Sequence, residues 1–150
     1  MRAGGTPSLR QRSITTAREI LLHNPVYLDT ETTGLGPQDE IIEVTVIDHD
    51  GTPLIDTLVK PGKPIPPDAT AIHGIRNSDV SSAPAWVQIW DSLRSALFSR
   101  LIVIYNADFD LRMLRQTHTL AGLHWKERLS AFDMMRLYGE FRGQWDPRRR

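Results

Sequence analysis

Asp29 and Glu31 stand two residues apart in the run Asp29-Thr30-Glu31-Thr32-Thr33-Gly34, directly after the apolar stretch Pro25-Val26-Tyr27-Leu28. In an extended strand alternate side chains share a face, so the two carboxylates project the same way. Like charges this close repel unless a cation lies between them. Mg²⁺ and Mn²⁺, hard ions that take oxygen ligands, are the natural counter-ions. Thr32, Thr33 and Gly34 add small hydroxyls and a flexible turn that a substrate backbone can approach closely. A bare Asp-x-Glu more often marks a strand that simply ends in a polar turn. The whole hexapeptide behind an apolar strand points instead to a metal site.

Such a pair needs a sheet to hold it, and the pattern along the chain supplies one. Val26 to Glu31 reads as a short central strand. Glu40 to Asp48, rich in β-branched residues, reads as a second, and Pro53 to Val59 as a third. Asp48-His49-Asp50-Gly51 between them is a hairpin turn. Pro61 to Pro67 holds four prolines and is expected to be an extended loop, with His73 in the loop region after it. Helical spacing recurs from Ser13 to His23, with Ser13 or Thr15 as candidate caps, and from Ala85 to Phe98. A buried strand at Leu101 to Tyr105 leads to a helix at Asp108 to Leu120. A short strand at Ser130 to Phe132 and a helix at Asp133 to Phe141 complete the pattern, in which Asp133 is expected to cap. A β-meander followed by alternating helices and strands gives an α/β fold, a mixed sheet with helices on its faces.

Composition narrows the class. The chain has 150 residues, 40% of them hydrophobic and 24% charged, which suits one ordinary globular domain. No apolar run is long enough to span a bilayer, so no membrane partner is expected. Arg2, Arg10 and Arg12 are not followed by the apolar segment of a secretory signal. There is no cysteine, which excludes disulfides and thiolate zinc sites and fits a cytoplasmic location. The 18 basic and 18 acidic residues balance, so a chain-wide basic footprint for duplex DNA is absent. Residues 1–12, rich in Gly, Pro, Ser and Arg, are expected to be disordered, with one domain over 13–150.

The hexapeptide 29–34 resembles the first motif of the DEDD 3′–5′ exonucleases, in the DEDDh branch that contains the proofreading epsilon subunit of bacterial DNA polymerase III. Tyr105-Asn106-Ala107-Asp108-Phe109-Asp110 resembles the second motif, His-Asn-Ala-x-Phe-Asp, with Tyr105 where His is usual. That match makes Asp110 the metal ligand rather than Asp108. Its place in the first helical turn, among free backbone N–H groups, suits an ionised carboxylate. Asn106 or Asp108 also stands where a helix cap belongs, and capping is compatible with ligation. Ala71-Ile72-His73-Gly74-Ile75 resembles the segment whose histidine borders the terminal nucleotide; a lone loop histidine would otherwise count as solvated. Leu35 looks like the residue that wedges beside the terminal base. Glu43 is similar to a family carboxylate and equally fits a core edge. The resemblance thus implies a ribonuclease H-like fold and catalytic, metal-binding Asp29, Glu31 and Asp110. Thr32, Leu35, His73, Asn106 and Phe109 would contact substrate, the 3′ end of a single-stranded DNA or RNA. Two Mg²⁺ or Mn²⁺ ions about 3.5–4 Å apart would clamp the attacking and leaving oxygens.

The resemblance runs from Pro25 to Leu137 and lacks the third motif, His-x-x-x-x-Asp. His118 and His124 are followed five residues on by Leu123 and Leu129. The run Gln144 to Arg150 offers no substitute. The last helix or two of the domain, the fourth carboxylate and the base are therefore expected to lie outside these residues. A longer protein, a truncated gene or another chain, including a second copy, would each account for that. A positioned base is worth about 10²–10⁴-fold, so activity of these residues alone is expected to be impaired. The alternative to an impaired exonuclease is a catalytically inactive nucleic-acid-binding or assembly module of the same descent.

Overall fold

The computed structural model describes residues 6–144. The expected C-terminal run from Trp145 onward, and residues 1–5 of the expected disordered segment, lie outside the described residues. Helix α1 spans Leu9–Leu22, followed by strand β1 at Val26–Thr32, β2 at Ile41–Ile47 and β3 at Pro53–Leu58. Two short helices, α2 at Pro67–His73 and α3 at Asn77–Val80, precede α4 at Trp86–Leu97. Strand β4 at Leu101–Ile104, helix α5 at Ala107–Leu120, strand β5 at Ser130–Asp133 and helix α6 at Met134–Arg142 follow.

The strands form one mixed sheet in the order β3-β2-β1-β4-β5. The pairs β1–β2 and β2–β3 are antiparallel, and β1–β4 and β4–β5 are parallel. This is the expected α/β architecture. Two-residue alternation sorts the strands into faces. Val26, Leu28, Val44, Val46, Ile102 and Ile104 point one way and pack against Trp90 and Leu93 of α4 and Met113 and Leu114 of α5. Tyr27, Leu101 and Val103 point the other way, under Ile20 of α1 and Leu137 of α6. Asp29 and Glu31 share this second face, past the end of the α1–α6 cover. Ile42 anchors a third, smaller cluster with Ile65, Ala69 and Val80, which seats α2 and α3.

Three local expectations change. Helix α1 starts at Leu9, inside the stretch expected to be disordered. Ser8 Oγ accepts from Gln11 N while Gln11 Oε1 accepts from Ser8 N, a reciprocal capping box. Ser13 and Thr15 therefore do not cap; each hydroxyl donates back to a carbonyl four residues earlier. The proline loop ends sooner than expected, because Pro67 occupies the first position of α2, where its missing N–H costs nothing. His73 is accordingly the last residue of a helix, not a loop residue. Asn106 precedes α5 in the left-handed region at φ 69° and makes no side-chain cap. Asp133 does cap α6, accepting from Met135 N at 2.9 Å. Among the described residues no helix is long and apolar enough to cross a membrane.

Candidate active site

Parallel pairing of β1 with β4 sets their C-terminal ends side by side. One end delivers Asp29 and Glu31, and the other feeds directly into α5 and Asp110. Asp29 is exposed and Glu31 half-buried, while Asp110 is only 3% exposed. Thr30 Oγ1 donates to Asp110 Oδ1 at 2.7 Å. Burial pushes the Asp110 carboxyl up to about 6; the Thr30 hydrogen bond opposes this, and the charges of Asp29 and Glu31 add to it. Burial also raises Glu31, His73 pulls it down, and Asp29 and the cross-strand Glu43 push it up again. Glu31 and Glu43 are direct register partners on one face, an arrangement that destabilises a sheet by itself. Charge repulsion is thus concentrated at one end of β1 with no cationic side chain paired to it among the described salt bridges.

Carboxylate oxygens placed close together with no cationic partner fit a hard divalent cation. The number of ligands falls short, however. Among the described residues no three His, Asp or Glu side chains gather as a metal-holding group. Asp29, Glu31 and Asp110 are therefore candidate ligands and not a gathered set. Asp110 is held from within the protein. Its carboxylate is hydrogen-bonded to Thr30, whose side chain lies on the face of β1 opposite Asp29 and Glu31.

Beside the acids lies a cleft of about 500 Å³ lined by Glu31, Thr32, Leu35, His73 and Phe109, among others. Four of the five expected substrate-contacting residues therefore meet in one cavity. Asn106, the fifth, is exposed and outside that lining, and its backbone N–H donates to Asp133 Oδ1 at 3.3 Å. Thr32 is buried, and its hydroxyl is already spent on the Gly34 carbonyl at 2.9 Å. Leu35 is 76% exposed, an apolar side chain standing free at the cleft. His73 is more informative. Its Nδ1 accepts from Ile75 N at 3.0 Å, so the neutral ring carries its proton on Nε2. That buried Nε2 has no partner. An unmet buried donor in a cleft wall is a ready contact for a substrate oxygen.

The cleft rim is built by residues that sequence reasoning missed. Asp39 Oδ2 accepts from Gly36 N at 2.7 Å, and Asp39 Oδ1 accepts from Thr33 Oγ1 at 2.9 Å and from Lys63 Nζ at 2.8 Å. Burial opposes ionisation of Asp39, and those donors, Lys63 foremost, still hold its carboxyl below the usual range. The loop closes so tightly that a Cβ at Gly34 would meet Asp39 Oδ2 at 2.6 Å. Gln116 Nε2 then ties the loop to α5 through the carbonyls of Gly36 and Asp39. Thr30 was overlooked too, although it sits between the two recognised acids. His118, set aside in the motif search, is a core residue. It is 4% exposed, accepts from Trp86 Nε1 at 3.2 Å and stacks edge-on with Trp90 and Trp125.

Comparison with known proteins places the chain in a family and a fold. The Exonuclease family model RNase_T matches residues 26–148. An uncharacterized exonuclease of Escherichia phage 186 is 46% identical over 134 residues, covering 85% of this chain and 69% of that protein. A DNA polymerase III subunit epsilon-like protein of Rhodobacter capsulatus is 38% identical over 104 residues, 65% of this chain but only 15% of its own length. The chain thus spans a small part of that larger relative. Exonuclease I of E. coli, solved with an oligonucleotide, superposes over 75% of this chain and 28% of its own, with a TM-score of 0.63 at 18% identity. That likeness shows the fold, the ribonuclease H-like mixed sheet. The family match and the phage relative together decide the matter: the chain belongs to the RNase_T family of exonucleases.

Proposed function

We propose that this chain carries the catalytic face of a divalent-metal-dependent 3′–5′ exonuclease that releases nucleoside monophosphates from DNA or RNA ends. The observation that carries the reading is the placement of Asp29, Glu31 and Asp110 at adjacent strand ends beside an open cleft, where burial foremost, and the neighbouring acids after it, raise Asp110 to about 6. Asp29, Glu31 and Asp110 would hold Mg²⁺ or Mn²⁺, which when bound polarises the phosphodiester and lowers the pKa of the attacking water. The cleft receives the terminal nucleotide between Leu35, Phe109 and His73, with His73 Nε2 donating to a substrate oxygen. The reading assigns no fourth carboxylate and no base within this sequence, in which no His has Asp five residues on.

A labelled oligonucleotide with Mn²⁺ tests this. A 5′ label gives a ladder shortening from the 3′ end, and Asp29→Asn lowers the rate by about 10²–10³-fold, a loss of a few kcal/mol of transition-state stabilisation. Equal rates for the two proteins contradict the reading for this chain.

One observation favours a second reading, a non-catalytic nucleic-acid-binding module: among the described residues the acids do not gather as a metal-holding group. On that reading 3′-end binding is measurable and depends on Asp29 and Glu31, while no nucleotide is released.

A further inference from the structure

We propose that the solvent-facing stripe of α5 is a binding track for the sugar-phosphate backbone of the strand that leaves the cleft, with Arg112 and Arg115 as its phosphate contacts. The inference rests on the nuclease reading for the direction of the strand, and on different residues for its chemistry.

Phe109, Arg112, Gln116 and Thr119 follow one another at helical spacing of three, four and three, so they form one stripe. From Phe109 to Thr119 the stripe is about 15 Å long at the helical rise. Its first member, Phe109, lines the cleft. The Arg112 guanidinium lies 5.3 Å from the Phe109 ring centroid, and Arg112 Nη2 reaches the Leu35 carbonyl at 3.5 Å. Arg112 is therefore fixed at the lip of the cleft, against the two residues that flank the terminal nucleotide's place. Beyond it opens a second depression of about 400 Å³, lined by Arg112, Arg115, Gln116, Thr119 and Pro37 among others. The two cavities share the 34–39 loop and α5 as walls, so one surface runs from the acids to the arginines.

The charges on this surface are free. Among the described residues Arg94, Arg100 and Arg136 are paired with Glu127, Asp48 and Glu140, while Arg112 and Arg115 form no ion pair. Arg112 instead holds the neutral Gln116 Oε1 at 3.4 Å. What sets these two guanidinium groups apart is their place, side by side on α5 at the mouth of an acidic cleft. Guanidinium forks suit phosphate oxygens, and backbone contacts of this kind position a strand without reading its sequence. The acids at one end and the arginines at the other would also orient the strand, with the scissile end toward the ions.

Salt dependence of binding separates this from general attraction. Anisotropy of a short 5′-labelled oligothymidylate is measured in EDTA, which stops turnover, across a NaCl series. Each phosphate contact on a single strand contributes a slope of about −0.7 in log K against log salt. Arg112→Gln/Arg115→Gln is expected to flatten the slope by about 1.4, and Arg112→Lys/Arg115→Lys to retain it. Arg12→Gln/Arg18→Gln, two exposed positions on α1, is expected to leave the wild-type slope. An unchanged slope in the α5 glutamine variant, equal flattening in the α1 control, loss of slope in the lysine variant, or no binding by wild type overturns the track. Nucleotide release by wild type in Mn²⁺ reads the nuclease proposal separately, so failure of one is distinguishable from failure of the other.

Discussion

Asp48 and Asp110 are the same residue type at two ends of the molecule, and the protein treats them oppositely. Asp48 opens the β2–β3 turn. It accepts from His49 N at 2.7 Å, from His49 Nδ1 at 2.8 Å and from Arg100 Nη2 at 2.6 Å. Those bonds, the His49 side chain's first, hold its carboxyl far below the ordinary range. Asp110 is buried, receives one hydroxyl and faces two further acids, and it rises to about 6. The first arrangement is what folding alone selects: a carboxylate surrounded by donors. The second costs stability, and proteins retain such conflicts mainly where a ligand or reaction resolves them. The contrast makes the Asp110 end the candidate site without reference to any relative.

The largest effect that would sharpen this contrast is on stability near Asp110. Its folded pKa lies above its unfolded value of 3.8, so the native state holds the proton more tightly. The favourable contribution is complete below about pH 4 and disappears as pH rises through about 6. The penalty at neutral pH is about 3 kcal/mol at most, from the size of the shift. Asp110→Asn keeps the acceptor for Thr30 and removes the charge. It is expected to raise Tm at pH 7 by several degrees and to leave it unchanged near pH 4, as thermal melts would show. A lowered Tm at pH 7 would break the comparison.

Asp48→Asn should behave in the opposite sense and more weakly. The depressed pKa of Asp48 gives stability that is present above 3.8 and lost as the pH falls through the folded value. The variant is therefore expected to lose a little Tm at neutral pH, with the loss shrinking in high salt because the cluster is exposed to solvent.

How much of this was legible in the sequence depends on range. The strands β1, β2 and β3, the hairpin turn between β2 and β3 and the helices α4 and α5 followed from alternation, turn residues and helical spacing, all of which are local. Glu31, Thr32, Leu35, His73 and Phe109, far apart in the chain, line one cleft. The Ser8–Gln11 capping box was also written locally, as Ser-x-x-Gln, yet the Gly- and Pro-rich surroundings masked it. Helix α2 was hidden because seven residues hold too few turns for periodicity, and prolines that usually break structure here begin it. The rest is tertiary. That Thr30 donates to Asp110, or that Gln116 ties down the loop carrying Leu35, depends on residues about eighty positions apart meeting across the sheet. No spacing rule encodes those contacts.

The central claim is that the acids at the end of β1 form a site for a divalent cation. Thermal melting of wild type with increasing Mn²⁺ at about pH 7 tests it, because a ligand that binds the native state must raise Tm with concentration. The account predicts a saturable rise in wild type that persists in Asp48→Asn and vanishes in Asp29→Asn/Glu31→Gln. A rise of equal size in the Asp29→Asn/Glu31→Gln variant, or none in wild type, would contradict it.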